Sequence, residues 1–231
     1  MLVTMNNEFT CEFCNKSFIR EGSFFAHSCA KKMRWLDKEN KNNVLGFTAY
    51  KRFYTLTGFA KKRQLGMKDF IESKYYNDFV SFGRFLNDAM VVAPEAYIDH
   101  VIKNSIKLKD WTKPSVYETF LKSLTFKEDP EDAIERSLIW IQDWCNEKDI
   151  QISEFFKTIS VNRLVDAMRS GKISPWLMYV CNTGVDVLNN FDSSQVKLLG
   201  PLLEQKVWSY KLHKNQKLVK EYKEMLSEIG L

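Results

Sequence analysis

Hydrophobic positions along most of the chain recur at the three- and four-residue steps of an α-helix. Phe79, Phe82, Leu86 and Met90 follow this spacing, which predicts one buried helical face. Similar faces are predicted by Phe47, Tyr50 and Tyr54, by Ile134, Leu138, Ile141 and Cys145, by Val161, Leu164, Val165 and Met168, and by Leu218, Tyr222, Met225 and Ile229.

Helix boundaries are marked by residues that suit helix ends. Asp129 and Pro130 provide a cap and a first-turn proline, and Ser160 is placed to cap a helix that Gly171 stops. The last helix is predicted over roughly 210–229.

Glycine and proline, the residues that most often end helices and form turns, are rare in this chain. A break is predicted at Gly200–Pro201, and the pattern leaves room for short extended pieces near Gln151–Ser153 and Ile173–Tyr179. With 9 Gly and 5 Pro among 231 residues, the chain has too few turn residues for an all-β fold. Composition therefore favours a helical protein.

The first 30 residues follow a different pattern, Cys11-x2-Cys14-x12-His27-x-Cys29. The first three positions match the ββα zinc finger, in which a cysteine turn faces ligands on a short helix. The fourth does not match, because Cys29 follows His27 by only two residues, and such residues point about 200° apart on a helix. The helix must therefore end or tighten right after His27.

The same segment contains the small apolar core of a finger, made of Phe9, Phe18 and Phe24. A core of this size cannot by itself stabilise the fold of a short chain. A bound metal must therefore supply the missing folding free energy. We therefore expect one structural zinc ion held by Cys11, Cys14, His27 and Cys29. Four protein ligands would leave no position for water or substrate, which argues against a catalytic metal.

Two alternatives to this ligand set remain. The fourth ligand could instead come from His100 or His213, or the cysteines could be free thiols beside an ordinary histidine with no metal.

The predicted finger helix is poorly suited to reading DNA. Counting His27 as helix position 7 puts Arg20, Ser23 and Ala26 at the base-reading positions, and only Arg20 is a strong reader. Phe25 would project from the outer face, which favours a protein-docking knob or packing against the rest of the chain.

The net charge of +5 permits contact with nucleic acid without requiring it. A nucleic-acid-binding regulator is therefore the alternative function, with Arg20 reading bases and a basic set contacting phosphates. That set consists of Lys31, Lys32, Arg34, Lys51, Arg52, Lys61, Lys62 and Arg63.

Signatures of other protein classes are missing from the sequence. It contains no phosphate-binding, metalloprotease or serine-hydrolase motif, so we expect a non-enzymatic protein without a small-molecule substrate. Cys145 and Cys181 are expected to be buried structural thiols. We expect no signal peptide and no membrane span, and a cytoplasmic location in which clustered cysteines bind metal.

The predicted fold is mainly α, with a small N-terminal ββα-type zinc finger followed by an irregular multi-helix domain. Residues 8–30 are expected to form the finger, 31–66 a basic and aromatic helical link, and 67–231 the helical body.

Three segments carry a resemblance to a known family. The finger runs into Lys31-Lys-Met-Arg-Trp35, followed by Leu45-Gly-Phe-Thr-Ala-Tyr-Lys-Arg-Phe-Tyr54 and Tyr75-Tyr-Asn-Asp-Phe-Val-Ser-Phe-Gly-Arg-Phe85. Together they resemble the baseplate hub assembly proteins of T4-type tailed phages, over about the first hundred residues. The resemblance implies an assembly factor or chaperone that helps form the tail baseplate hub in the infected bacterial cytoplasm. Its partners would be phage hub or tail proteins.

Overall fold

The computed structural model describes residues 9–59 and 64–231. Three predicted contact residues, Lys61, Lys62 and Arg63, lie outside the described residues. The chain forms two compact units, Met1–Thr112 and Lys113–Leu231. The residues predicted as one helical body, 67–231, are thus divided between both units, and the predicted link belongs to the first unit.

The first unit begins with a two-stranded antiparallel sheet, in which Phe9 is paired with Phe18 and Thr10 with Ser17. Its elements are β1 (Phe9–Thr10), β2 (Ser17–Phe18), α1 (Glu21–Phe25), α2 (Ala30–Leu36), α3 (Lys41–Leu56), α4 (Met67–Glu72), α5 (Tyr76–Asp88) and α6 (Pro94–Lys103), followed by a 3-10 turn at Leu108–Asp110.

Helices α3 and α5 approach each other closely because a glycine on each faces the other backbone. A Cβ atom on Gly46 would lie 2.6 Å from the carbonyl oxygen of Phe79, and one on Gly83 would collide with the carbonyl oxygen of Asn42. Only glycine allows this approach. Residues 31–66, predicted as a link, therefore contribute α3 to the packed interior of the unit.

Aromatic rings fill the space beside this crossing. Tyr50 of the predicted α3 face is buried and contacts Phe70 and Phe79, with ring centroids 5.3 and 5.5 Å away. Trp111 is fully buried, and its indole N–H donates to the carbonyl oxygen of Ile106 at 2.8 Å. The prediction that the α3 aromatics form core is confirmed at Tyr50.

The predicted α5 face is correct for its first three members and wrong for Met90. Helix α5 ends at Asp88, and Met90 is 61 % exposed with a positive φ of 46°. The backbone turns away from the helix before Met90 can join the face that Phe79, Phe82 and Leu86 bury.

The second unit is built only from helices among its described residues. They are α7 (Pro114–Lys127), α8 (Pro130–Lys148), α9 (Phe155–Thr158), α10 (Val161–Arg169), α11 (Pro175–Val180), α12 (Asn182–Asn189), α13 (Ser193–Leu199), α14 (Gln205–Lys214) and α15 (Gln216–Glu228), with a 3-10 turn at Ile152–Glu154.

Helix α11 lies at the centre of the second unit. Its Trp176 is fully buried and meets Trp208 of α14 edge to face, with ring centroids 5.1 Å apart. The indole N–H of Trp208 donates to the carbonyl oxygen of Leu202 at 2.7 Å, which satisfies a buried donor. Phe155 packs against Trp144 at 5.3 Å and closes the other side of the core.

The predicted start of α8 and both predicted ends of α10 are confirmed. The Asp129 side chain accepts from the backbone N–H of Glu131, and Pro130 opens α8. Ser160 caps α10, and Gly171 follows that helix with a positive φ of 79°. These residues suit helix ends for the expected reasons.

Two predictions for the second unit are wrong. The single helix over 210–229 is two helices, α14 and α15, which meet at Asn215, and Leu226 rather than Met225 or Ile229 is the buried residue. The segments that left room for extended pieces form a 3-10 turn and helix α11.

The predicted fold class is confirmed, because helices dominate the described residues and a two-stranded sheet occurs only near the N-terminus. Within residues 9–59 and 64–231, every helix is too short or too polar to cross a bilayer.

Candidate metal centre

Cys11 and Cys14 lie in the tight turn that connects β1 and β2. The backbone N–H of Cys11 donates to the carbonyl oxygen of Lys16 at 3.0 Å, and that of Asn15 donates to the carbonyl oxygen of Cys11 at 2.8 Å. Asn15 has a φ of 57°, a conformation that asparagine adopts more readily than most residues. The turn brings both cysteine side chains to one side of the sheet.

His27 lies just beyond the finger helix. Helix α1 ends at Phe25, and the N–H of His27 donates to the carbonyl oxygen of Phe24 at 3.1 Å, one residue closer than in an α-helix. The sequence predicted that the helix would end or tighten right after His27. It ends two residues before His27, and this tightening lets both His27 and Cys29 face the cysteine turn.

Cys29 has two roles in the structure. It belongs to the Cys/His group, and it is the N-cap residue of α2, where its sulfur accepts a hydrogen bond from the N–H of Lys32 at 3.3 Å. A hydrogen bond from a backbone N–H stabilises a thiolate, which is the form that binds a metal. The first turn of α2 therefore helps to hold this ligand.

The four donor atoms of Cys11, Cys14, His27 and Cys29 all lie within 4.8 Å of one another, a group that could hold a metal ion. The sulfurs of Cys11 and Cys29 are 3.8 Å apart, and the Cys14 sulfur is 3.2 Å from Nε2 of His27. The sulfur separation is far longer than the roughly 2.05 Å of a disulfide bond. The geometry is that of separate ligands converging on one point.

The two cysteines of the turn differ in their proton affinity. Burial raises the pKa of Cys11, but hydrogen bonds from the backbone of Phe13 and Cys14 and from the side chains of Cys14 and Cys29 together outweigh it and leave the pKa below its ordinary value. For Cys14, a backbone hydrogen bond from Lys16 lowers the pKa. Burial and the neighbouring sulfurs together raise the pKa by more, so it lies above the ordinary value. Negative charge on the Cys11 sulfur thus disfavours a thiolate at Cys14, and a bound cation would relieve this repulsion.

The finger core consists of the three predicted phenylalanines and the imidazole. The ring of Phe24 lies 5.9 Å from Phe9 and 6.0 Å from Phe18, and Phe18 lies 4.8 Å from His27. All three phenylalanines are only partly buried. The apolar core is therefore open to solvent, and the dependence of the finger on metal for folding stays a prediction.

The finger packs against its own unit through α2. The ring of Phe13, in the cysteine turn, lies 6.4 Å from that of Trp35. Arg34, the residue before Trp35 on α2, donates to the carbonyl oxygen of Ile71 at 2.9 Å and lies 4.2 Å above the ring of Tyr76. The guanidinium group therefore fastens α2 to α4 and α5.

Other predicted contact residues also have partners within the first unit. Lys31 forms an ion pair with Glu72 at 3.0 Å. Arg52 donates twice to the Asp99 carboxylate, at 2.6 and 2.8 Å, and Lys51 lies 5.5 Å from the centre of the Phe47 ring. The Lys31–Glu72 and Arg52–Asp99 pairs join distant segments, so helical periodicity could not predict them, whereas Lys51 and Phe47 lie one turn apart on α3.

The rest of the predicted contact residues are exposed. Arg20 and Lys32 face solvent, and Phe25 is 75 % exposed, although its ring contacts Phe24. The structure adds Ile19, which is 79 % exposed and which sequence reasoning missed. Its position after the second strand, facing away from the finger core, was the available signal.

The rival ligands and the isolated cysteines lie elsewhere. His100 and His213 are on α6 and α14 and do not belong to the Cys/His group. Cys145 and Cys181 are fully buried, and burial raises the pKa of both thiols, as expected for structural residues.

The chain matches no protein-family model, no curated protein and no solved structure. Its function therefore has to be inferred from the site and the surface.

Proposed function

We propose that the Cys/His group binds one zinc ion with a structural role. Three thiolates and one imidazole form a donor set that zinc prefers. In a tetrahedral zinc site with metal–sulfur bonds of about 2.3 Å, two sulfurs lie about 3.8 Å apart. The Cys11 and Cys29 sulfurs have this separation of 3.8 Å. The bound ion would supply folding free energy to the finger.

We further propose that the protein is a non-enzymatic assembly factor acting through protein–protein contacts. The observation that carries this proposal is the exposure of Ile19 and Phe25, at 79 % and 75 %, on a finger whose ligands fix the local backbone. Large apolar side chains presented on a rigid support are typical of protein interfaces. The finger thus presents an exposed apolar contact for a partner protein rather than a chemically reactive group.

Attachment of the finger to its unit supports this role. Arg34 fastens α2 to α4 and α5, and Trp35 on the same helix contacts Phe13 of the finger. Interfaces bind more tightly when their contact groups are ordered before binding, because less entropy is lost. The resemblance to phage baseplate hub assembly proteins suggests the client, a hub or tail protein in the cytoplasm of an infected bacterium.

The alternative, a nucleic-acid-binding regulator, receives less support. Lys31, Arg34 and Arg52 of the predicted phosphate-binding set bind other groups of the first unit, and Arg20 remains an isolated base reader. Nucleic acid would have to compete with these internal partners for the same cations.

The test is capture of hub and tail proteins from infected cells on tagged protein, with nuclease treatment and a high-salt wash. The decisive variant is Phe25→Ser. Its matched control is Ile139→Ser, which removes a 56 % exposed apolar side chain from α8 of the second unit. Neither change touches a ligand, so the zinc content of both variants should equal that of the parent.

We expect stoichiometric hub or tail proteins on the parent and on Ile139→Ser, and at least a tenfold loss on Phe25→Ser, as for an interface anchor. Equal capture by both variants would refute the docking role of the finger. Retention of salt- and nuclease-sensitive nucleic acid in place of proteins would replace the proposal with the regulator. Zinc analysis that found no bound metal would refute the structural site.

A further inference from the structure

The second unit contains a surface groove between α7 and α13 of about 880 Å³. We call it the α7–α13 groove. Leu121 and Leu202 are buried at its base, while Leu198, 50 % exposed, and Pro201 extend along one side. A groove of this volume accommodates several apolar side chains.

Basic side chains flank the apolar base. Lys122 of α7 and Lys197 of α13 both line the groove and are exposed, and neither forms an ion pair among the described residues. Arg169 also lines it and is paired with Glu118 at 2.7 Å. Three cations and one carboxylate leave a net charge of +2 at the groove.

The combination of an apolar base with flanking lysines favours one of two classes of macromolecule as the partner of the groove. Single-stranded nucleic acid binds through stacking on aromatic rings as well as through phosphates, and none of the side chains that line the groove is aromatic. An amphipathic peptide uses both features of the groove, because its apolar residues cover the leucines and its acidic residues face the lysines.

We propose that the α7–α13 groove binds an acidic amphipathic segment of a partner protein. Its apolar side chains lie on Leu121, Leu198 and Leu202, and its carboxylates pair with Lys122 and Lys197. The proposal goes beyond the assembly role of the finger, because it gives the second unit its own binding surface and states the chemistry of the partner.

The experiment measures binding of a fluorescent helical peptide to the metal-loaded 231-residue protein by anisotropy. The peptide has leucines along one face and glutamates on the others. Its controls are a peptide with lysine in place of glutamate and a single-stranded DNA oligomer. The variant Lys122→Glu with Lys197→Glu reverses the groove charges, and Lys217→Glu with Lys220→Glu reverses two exposed lysines on α15, outside the groove.

We expect the acidic peptide to bind in a salt-sensitive manner, and the groove double variant to weaken it at least about tenfold. The α15 double variant should bind like the parent, and Leu198→Ser should weaken binding without altering the melting curve. Three results would overturn the proposal. These are no binding of the acidic peptide, equal weakening by both double variants, and tighter binding of the DNA oligomer than of the peptide.

Discussion

The finger and the helical parts of this protein use similar aromatic residues in different ways. In the finger, Phe24 contacts both Phe9 and Phe18, but all three remain partly exposed, and within residues 9–30 the buried side chains are those of Cys11 and Cys29. Apolar burial stabilises by about 25 cal/mol per Å², so a core this open contributes little. Cys11 and Cys29 belong to the Cys/His group, whose other two members, Cys14 and His27, are only partly buried.

The second unit has an extensive buried apolar core. Trp176, Trp208 and Phe155 are fully inside, surrounded by aliphatic side chains from several helices. Burying one large side chain of this kind contributes about 2–3 kcal/mol. The comparison shows that aromatic content does not reveal what stabilises a segment. Stability follows from whether the surrounding chain is long enough to enclose the rings.

The largest effect is expected from removing a metal ligand. Cys14→Ser, or a chelator, should abolish metal binding and unfold the finger, because structural zinc sites contribute apparent free energies of about 10 kcal/mol or more. Metal analysis and far-UV circular dichroism should show loss of the ion with most helical signal retained. Cys145→Ala is the matched control and should keep the metal. If chelation melted the second unit as well, the contrast between the two regions would not hold.

Substitutions at two glycines compare the packing of the helical part of the first unit with that of the finger. Gly83→Ala adds a methyl group against the backbone of α3, whereas Gly22→Ala in α1 meets no atom within 4 Å. We expect Gly83→Ala to destabilise the first unit by about 3 kcal/mol, since overpacking forces the backbone apart. Gly22→Ala should be neutral or stabilise by up to about 1 kcal/mol. Denaturant unfolding measures both changes, and a loss of stability of equal size in the two variants would contradict the described α3–α5 crossing.

The smallest effect is expected at the Arg52–Asp99 pair on the surface of the helical part of the first unit. The hydrogen bond from Arg52 holds the pKa of Asp99 below its usual 3.8. The carboxylate of a group with a lowered folded pKa stabilises above the unfolded value, so this contribution is present above pH 3.8 and is lost as the pH falls through the folded pKa.

Asp99→Asn should therefore lower the melting temperature at neutral pH, by an amount that corresponds to less than about 1 kcal/mol because Arg52 is partly exposed and screened. Below the folded pKa the variant and the parent should melt alike. Glu39→Gln removes an 88 % exposed carboxylate, paired with Lys38 on the surface, and should change the melting temperature less than Asp99→Asn does. A difference for Asp99→Asn that grew as the pH fell would contradict the sign of the pKa shift.

Local signals in the sequence predicted much of this structure. Ligand spacing identified the Cys/His group, and Asp129 and Ser160 marked the starts of two helices because their side chains satisfy free backbone N–H groups. Such features depend on residues a few positions apart. They are therefore visible without knowledge of the fold.

Features that depend on distant segments were missed. No residue near Met90 indicates that α5 ends at Asp88. The break between α14 and α15 at Asn215 is likewise marked by neither glycine nor proline. The contact of Arg34 with Ile71 spans 37 positions and that of Arg52 with Asp99 spans 47. Helical periodicity assigns such residues to a face but cannot say what that face meets.

The shared position of Cys29, at once a ligand and the cap of α2, limits how this finger could be exchanged between proteins. A graft of residues 9–29 would carry all four donors but leave behind Lys32, whose backbone N–H orients one of them. The smallest transplantable piece therefore extends through Leu36, where α2 ends. Any chain that inherited this finger would also inherit the orientation of α2 relative to the Cys/His group.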